Sequence, residues 1–172
     1  MKVISILPIL GILMLIHTPK ANAFPKMILS SPDFENQGVI PVEFSCQGVN
    51  VNPALEIQGV PEGVKSLALI VDDPDAPSGD WVHWVVFNIP AEQRTIEKGA
   101  VPGIQGVNDF RTINYGGPCP PSGPPHRYFF KIYALDTMLT LSKGVTKKQL
   151  EKAMIGHVLD QAQIIGLYQT KN

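Results

Sequence analysis

The sequence predicts a mainly β fold, an antiparallel β-sandwich with peripheral helices and one helix near the C-terminus. Three apolar runs of strand length, residues 64–71, 81–89 and 126–135, are rich in β-branched and aromatic residues. Glycine and proline are dense in the chain between these runs. A helical spacing of apolar residues is clear only near the C-terminus. Strands grouped in this way favour stacked sheets over alternating strands and helices.

The N-terminus has the three parts of a secretory signal peptide. Lys2 supplies a positive charge, residues 3–16 form a fourteen-residue apolar stretch, and Ala21-Asn22-Ala23 is a cleavage pattern of small residues. The apolar stretch is shorter than the roughly 20 residues that a membrane-spanning helix needs. We therefore expect a cleaved signal peptide at residues 1–23 and a single domain at residues 24–172. We also expect an exported protein, periplasmic or secreted, without a transmembrane anchor.

Charge and cysteine content restrict the partners and the compartment. The chain of 172 residues has a formal net charge of −1, and loss of Lys2 and Lys20 with the signal peptide makes it more acidic. A mildly acidic chain without a basic run indicates that nucleic acid is not a partner. In an oxidising compartment, Cys46 and Cys119 favour one disulfide, with two free thiols as the alternative.

The first part of the chain predicts short strands. Residues 27–29, 39–44 and 54–57 are the candidates, and Pro41 places the second at a sheet edge because proline has no backbone N–H. Residues 64–71 are almost continuously apolar, which predicts a strand buried on both faces.

The middle and the end of the chain predict two more long strands and a helix. In the run 81–89, the odd-numbered residues are expected to share one face of the sheet. The irregular stretch 91–125 has one candidate strand at 110–115, and the next long strand begins at His126. Thr146 and Gln149 form a capping box that begins a helix over residues 147–163, with His157 packed on its apolar side.

An acidic loop between the first two long strands is the candidate functional site. Asp73 and Asp75 alternate with prolines, which cannot continue a strand, and His83 follows near the start of the next strand. His126 begins the third strand in the same way. If these strands start at one end of the sheet, the two histidines meet beside the acidic loop, where a carboxylate favours the protonated imidazole. An ordinary polar turn is the alternative for the loop.

Three kinds of site fit these residue types. A zinc site would use His83, His126 and an aspartate, but no metal-spacing motif such as His-Glu-x-x-His is present. A hydrolase would use Ser78 or Ser122 as nucleophile, but neither lies in a Gly-x-Ser-x-Gly context. A noncatalytic anion site needs no further group. We therefore expect no catalytic residue, no bound metal and no cofactor, with a metal- or histidine-dependent hydrolase as the alternative.

Two motifs together resemble a known family. The acidic loop at residues 73–77 with the following Trp81-x-His83, and the later His126-Arg127-Tyr128, strongly resemble the phosphatidylethanolamine-binding protein family, also called Raf kinase inhibitor proteins. Residues 81–90 and 115–121 are similar to its bacterial Raf-kinase-inhibitor-like branch.

The resemblance implies a β-sandwich of that family's type, with a small pocket for phosphate-like groups, including phospholipid headgroups and phosphorylated side chains. The ligand-binding residues that it implies are Asp73, Pro77, Trp81, His83, Gly117, Cys119, Pro120, His126 and Tyr128. It further implies a structural pair of Asp75 with Arg127 and a cis bond between Ala76 and Pro77.

The predicted function is a noncatalytic module that binds a phosphate or carboxylate group on a small ligand or a partner protein. Since some family members inhibit kinases and others inhibit peptidases, the resemblance extends this prediction to inhibition of either kind of enzyme. Protonated histidines would attract an anion, so binding is expected to tighten as the pH falls.

Overall fold

The computed structural model describes residues 26–170, so the predicted signal peptide lies outside the described residues. In chain order the elements are β1 (Ile28–Ser30), β2 (Gly38–Val39), β3 (Leu55–Gln58), β4 (Ser66–Asp73), β5 (Trp81–Pro90), β6 (Thr95–Ile96), β7 (Ile104–Gln105), β8 (His126–Leu135), α1 (Lys147–Met154) and β9 (Val158–Tyr168). Within this range, no helix is long and apolar enough to cross a membrane.

The strands form two sheets, which confirms the mainly β prediction. The larger sheet has six strands in the order β2-β9-β8-β4-β5-β7, and the smaller has three in the order β1-β3-β6. Neighbouring strands are antiparallel except for β2 and β9, which run parallel. The smaller sheet and α1 cover opposite faces of the larger sheet, so the central strands of the larger sheet have a core on each side.

Strand β4 is buried along its whole length, as its apolar sequence predicts. Leu67 and Leu69 face the core between the two sheets, whereas Ala68 and Ile70 face α1, where Leu150 covers them. Full burial of one leucine or isoleucine side chain contributes roughly 1.5–3 kcal/mol to folding. Packing on both faces therefore fixes the strand that carries Asp73 into the site.

A β-bulge at the start of β5 positions His83. On β4, Val71 is opposite Trp84 and Asp72 is opposite Val82, so His83 is the extra residue of the bulge. The bulge shifts the alternation of side chains along the strand. The ring of His83 lies against Tyr128 of β8, the strand on the other side of β4, with 5.1 Å between the ring centroids.

A second irregularity in β5 makes the predicted alternation wrong. Between the pairs Leu67–Ile89 and Leu69–Val86, β5 has one residue more than β4, and Asn88 has a φ of 52°. As a result, Phe87 faces α1 while Ile89 faces the core between the sheets. The odd-numbered residues of this strand therefore do not share one face.

The C-terminal helix is shorter than predicted. Its capping box at Thr146 and Gln149 is present, but α1 ends at Met154, and Gly156 adopts a φ of 80° that ends helical structure. The predicted continuation to residue 163 is wrong, because β9 begins at Val158 and pairs with β8 along its length. His157 is consequently exposed and bonded to a surface aspartate, rather than packed on an apolar helix side.

Two of the predicted short strands also differ. Residues 39–44 contain only β2 and then a 3-10 turn at Val42–Phe44, since Pro41 cannot donate a strand hydrogen bond. The candidate strand at 110–115 does not form, because the side chain of Asn108 bonds the backbone of Thr112 and Asn114 and closes a loop.

Candidate functional site

A pocket of about 250 Å³ lies at the end of the larger sheet where β4 ends and β5 and β8 begin. These ends meet because β4 is antiparallel to both neighbours. The pocket is lined by Asp73, Ala76, Pro77, Ser78, Trp81, His83, Phe110, Cys119, Pro120, Pro121, His126 and Tyr128. Eight of the nine ligand-binding residues implied by the resemblance are therefore brought together, the exception being Gly117.

Asp73 and His126 form a buried pair. The distance from His126 Nδ1 to Asp73 Oδ2 is 2.8 Å, and the two side chains are 10% and 4% exposed. The other carboxylate oxygen of Asp73 accepts the backbone N–H of Asp75 at 2.8 Å. Because a carboxylate only accepts, Nδ1 of His126 carries a proton, and the orientation of the ring is fixed.

His83 is held by a backbone carbonyl. Its Nδ1 lies 2.6 Å from the carbonyl oxygen of Gly116, which can only accept, so Nδ1 carries a proton and the neutral ring has its lone pair on Nε2. Burial lowers the pKa of His83 below its ordinary value, although the Gly116 carbonyl and Asp73 act in the opposite direction. The free pocket thus contains a neutral imidazole at His83.

The hydroxyl of Tyr128 is a buried group beside the pocket that makes no well-formed hydrogen bond. No described residue meets it at regular hydrogen-bond geometry, although the carboxylate of Asp73 and the backbone of Cys119 lie close enough to interact with it. Burial and the nearby carboxylate of Asp73 raise the pKa of Tyr128, so the phenol keeps its proton, while the backbone of Cys119 has a weaker opposite effect. A buried polar group without a partner costs about 1–3 kcal/mol, which a ligand or a water molecule can offset.

The loop at Gly116 and Gly117 supports the pocket instead of presenting the two glycine N–H groups to it. The N–H of Gly116 donates to the carbonyl of His83 at 3.0 Å, and the N–H of Gly117 donates to Oδ1 of Asn50 at 2.7 Å. A Cβ at Gly117 would lie 2.2 Å from the carbonyl oxygen of Phe44, so only glycine fits there. Gly117 therefore packs behind the residues that line the pocket.

The Cys46–Cys119 disulfide is present, with the two Cα atoms 5.4 Å apart. It links the pocket wall at Cys119 to the chain that follows the 3-10 turn at Val42–Phe44. The choice left open by the sequence, between a disulfide and two free thiols, is thus decided for the disulfide.

Asp75 and Arg127 form a two-point ion pair at the surface. Nε and Nη2 of Arg127 donate to the two carboxylate oxygens at 2.8 Å and 2.7 Å. These hydrogen bonds lower the pKa of Asp75 to about 2, against a smaller opposing effect of burial. The pair lies outside the pocket and connects the acidic loop to the start of β8, while the Ala76–Pro77 bond is trans rather than cis.

Phe110 is the pocket residue for which the sequence offered the least indication. It lies in the irregular stretch after β7, where no strand alternation reveals its direction. Its ring nevertheless makes edge contacts with Trp81 and His83, both at 5.4 Å between ring centroids. The indication in the sequence was that Phe110 is an aromatic residue within an otherwise polar loop. Ala76 also lines the pocket without having been assigned to it, whereas Pro121 ends the loop that the resemblance places in the lining.

No group of three or more His, Cys, Asp or Glu side chains within residues 26–170 is arranged to hold a metal ion. The pocket lining contains two imidazoles, one carboxylate, one phenol and the hydroxyl of Ser78, together with apolar side chains.

The fold and the pocket define a two-sheet β protein with a small histidine-lined pocket at one end of its central sheet. Residues 30–169 match the sequence model of the family described as phosphatidylethanolamine-binding protein, and the chain belongs to that family.

Relatives with solved structures share this fold. A protein of Chlamydia trachomatis, CT736, described as a phosphatidylethanolamine-binding protein homologue, is 42% identical, with a TM-score of 0.82 over 85% of this chain and 99% of that one. YbcL of Escherichia coli, described as a new member of the mammalian family, is 32% identical, with a TM-score of 0.79 over 86% of this chain and 100% of that one. A UPF0098 protein of Methanothermobacter thermautotrophicus is 51% identical over 150 residues, which is 83% of this chain and 99% of the relative.

Proposed function

We propose that the protein is a noncatalytic binding module whose pocket holds a phosphate or carboxylate group carried by a small ligand or a partner protein. The observation that carries the proposal is the buried Tyr128 hydroxyl, which makes no well-formed hydrogen bond with a described residue and lies with two imidazoles around one small pocket. An anionic oxygen accepts from a phenol more strongly than water does, because hydrogen bonds to charged groups are the stronger ones.

Ligand entry is coupled to proton uptake in this proposal. Burial lowers the pKa of His83 and favours its neutral form, whereas the nearby Asp73 acts in the opposite direction. A bound anion would favour the imidazolium form of His83 and so raise its pKa. Binding therefore tightens as the pH falls, and a proton is taken up with the ligand.

The size and rim of the pocket limit the ligand. A volume of about 250 Å³ is below the roughly 300–1,000 Å³ of pockets for drug-sized molecules, so it suits a headgroup or a side-chain terminus. Pro77 and Ser78 at the rim are exposed, so a phosphorylated side chain or a C-terminal carboxylate of a protein has access. Inhibition of a kinase or a peptidase would follow if such a group belongs to that enzyme.

Titration with inorganic phosphate and phosphoethanolamine tests the proposal. Nuclear magnetic resonance at about pH 5.5 and about pH 8 should show shifts of the His83, His126 and Tyr128 signals, larger at the lower pH. Calorimetry in two buffers of different ionisation enthalpy should show proton uptake on binding. Unchanged signals of all three residues at both pH values would overturn the proposed function.

The variant Tyr128→Phe isolates the hydroxyl, since the ring packing is kept. Phosphate affinity is expected to fall roughly 10- to 150-fold, because a hydrogen bond to a charged group contributes about 1.5–3 kcal/mol. Tyr133→Phe is the matched control, since it removes a phenolic hydroxyl from the same strand on the side that faces α1. Equal affinities of the two variants would contradict the role of Tyr128.

A histidine-dependent hydrolase is the second candidate, and the buried Asp73–His126 pair favours it. Such a pair orients an imidazole for general-base catalysis, and Ser78 lines the same pocket. Against it, the amides of Gly116 and Gly117 are already bonded within the protein and cannot stabilise an oxyanion. Turnover of nitrophenyl phosphate or nitrophenyl acetate that is lost in both Ser78→Ala and His126→Gln would favour the hydrolase. Phosphate binding without turnover would favour the binding module.

A further inference from the structure

We propose that the redox state of the Cys46–Cys119 disulfide regulates ligand binding in the pocket. The proposal rests on the proposed function, since it concerns the affinity of the same site. Reduction would release the pocket wall that contains Cys119, and the wall would no longer be held beside Tyr128.

The first observation is the position of the disulfide. Cys119 lines the pocket, and its backbone is close enough to the Tyr128 hydroxyl to influence the pKa of that phenol. Its partner Cys46 belongs to a distant part of the chain, at a sequence separation of 73. The N–H of Cys46 also donates to the carbonyl of Pro118 at 3.0 Å, so both contacts fix the wall to the same turn.

The second observation is the composition of the wall itself. Three of the six residues 116–121 are prolines, which have no N–H to donate to neighbouring strands. Beyond Cys119, the carbonyls of Pro120 and Gly123 accept from Thr170 and Gln169, which follow β9. Hydrogen bonds attach Gly116, Gly117 and Pro118 to the rest of the molecule, whereas the part of the wall around the exposed Cys119 is held by the disulfide and by the side-chain bonds from Thr170 and Gln169. The covalent link therefore carries much of the restraint on the wall around Cys119.

The third observation is that both cysteines are exposed residues. A dithiol reductant can reach them, and exposed disulfides are the ones that take part in thiol exchange. One thiolate of the dithiol attacks a sulfur of the disulfide and forms a mixed disulfide, releasing the other cysteine. The second thiol of the reductant then displaces the protein thiol. Two electrons and two protons pass to Cys46 and Cys119, and the reductant becomes an intramolecular disulfide.

The expected result is weaker binding in the reduced form. Phosphate affinity should fall about tenfold, within the range of coupling found between a switch and a binding site. Amide hydrogen exchange at Gly116, Gly117 and Cys119 should become faster on reduction, whereas amides of the central strands β4 and β8 should stay protected.

The experiment compares the oxidised protein, the protein reduced with dithiothreitol, and the double variant Cys46→Ser/Cys119→Ser. Phosphate titration and hydrogen exchange are recorded for each, and circular dichroism confirms that each is folded. The double variant should match the reduced protein and should not respond to dithiothreitol. Thr170→Val loosens the same wall without touching the disulfide and should weaken phosphate binding in the oxidised protein. Thr137→Val, in the turn after β8, is its matched control and should not.

The outcomes separate the two proposals. Equal phosphate affinity of oxidised and reduced protein overturns the redox proposal and leaves the proposed function standing. Unchanged exchange at the wall amides does the same, because the wall then does not depend on the disulfide. Absence of phosphate binding by the oxidised protein overturns the proposed function, and the regulation of binding with it.

Discussion

His83 is a buried histidine whose proton sits on Nδ1 because a backbone carbonyl is its partner. The imidazolium form is disfavoured by burial, since a charged ring loses its hydration in a low-dielectric site. Burial, which favours the neutral form of His83, also means that a bound anion would raise the pKa of this histidine. It also makes the stability of the fold depend on pH.

The stability prediction for His83 has a definite sign. The pKa of His83 in the folded protein lies below its ordinary value of 6.5, so below pH 6.5 the unfolded chain binds more protons. The free energy of unfolding should therefore fall as the pH decreases from 6.5 toward the folded pKa. Urea unfolding at several pH values should show a steeper decrease for the wild type than for His83→Gln. Parallel curves for the two proteins would contradict the prediction.

Asp75 shows the opposite behaviour at the surface of the site. Hydrogen bonds from Arg127 lower its pKa from 3.8 to about 2, so the stabilisation by this pair is present above pH 3.8 and is lost as the pH falls toward 2. Carbon-detected NMR of the side-chain carboxyl should give a midpoint near 2. In Arg127→Gln the midpoint should return toward 3.8. A midpoint near 3.8 in the wild type would show that the ion pair does not persist in solution.

At the scale of elements, the acidic loop is fixed to α1 by a second set of charges. Asp72 is fully buried, and its carboxylate oxygens lie 2.7 Å from Lys131 Nζ and 2.6 Å from Lys147 Nζ. Lys147 also contacts Asp80 in the loop and Glu151 one turn along the helix. Burial lowers the pKa of Lys147, but the hydrogen bonds to Asp72 and Asp80 outweigh it and raise the pKa above its ordinary value. The first residue of α1 thereby positions the loop that carries the pocket rim.

Lys147→Met should remove this link. The free energy of unfolding is expected to fall by about 2 kcal/mol, less than the roughly 3–5 kcal/mol for a buried charge left alone, because Lys131 still neutralises Asp72. Lys148→Met is the matched control, since Lys148 is exposed and adjacent in sequence, and it should change stability by less than about 0.5 kcal/mol. Guanidinium unfolding of both variants measures the difference. Equal effects of the two substitutions would contradict the role of Lys147.

At the scale of elements, the long strands could be predicted from the sequence, whereas the end of the helix could not. Strands β5 and β8 were predicted almost to the residue, because Gly/Pro loops precede both and their apolar runs are long. The resemblance to the family then predicted most of the pocket residues, many of which lie at the ends of these strands. The helical continuation after Met154 was wrong because the apolar residues of 158–168 suit either periodicity, and pairing with β8 decides between them. Gly156, with its positive φ, was the available local signal for the break.

Bulges and side-chain-bonded loops could not be predicted in this way. The bulge at His83 depends on the register with β4, which is a property of two strands together. Phe110 reaches the pocket because Asn108 folds its loop through side-chain hydrogen bonds. Both features decide the shape of the pocket, and neither leaves a periodic pattern in the chain.

At the scale of the whole molecule, the disulfide joins two cysteines that are separated by a long part of the chain, which forms five strands of the sandwich. The chain between Cys46 and Cys119 contains β3, β4, β5, β6 and β7, so the link closes a loop around two strands of the smaller sheet and three of the larger. The core between the sheets is continuous across these strands. Removal of the link should therefore lower the stability of the molecule as one cooperative unit.

Cys46→Ser/Cys119→Ser should lower the free energy of unfolding by about 4 kcal/mol in the chain-entropy description, because the unfolded chain regains the freedom of a loop with a sequence separation of 73. Guanidinium unfolding of the oxidised wild type and the double variant should give single transitions, with the midpoint of the variant at lower denaturant concentration. The reduced wild type is the control and should unfold with the variant. A difference below about 1 kcal/mol would mean that the loop is already restricted in the unfolded chain or that the native wall gains freedom on reduction. The wall-amide exchange rates distinguish these two causes, since only the second accelerates them in the folded protein.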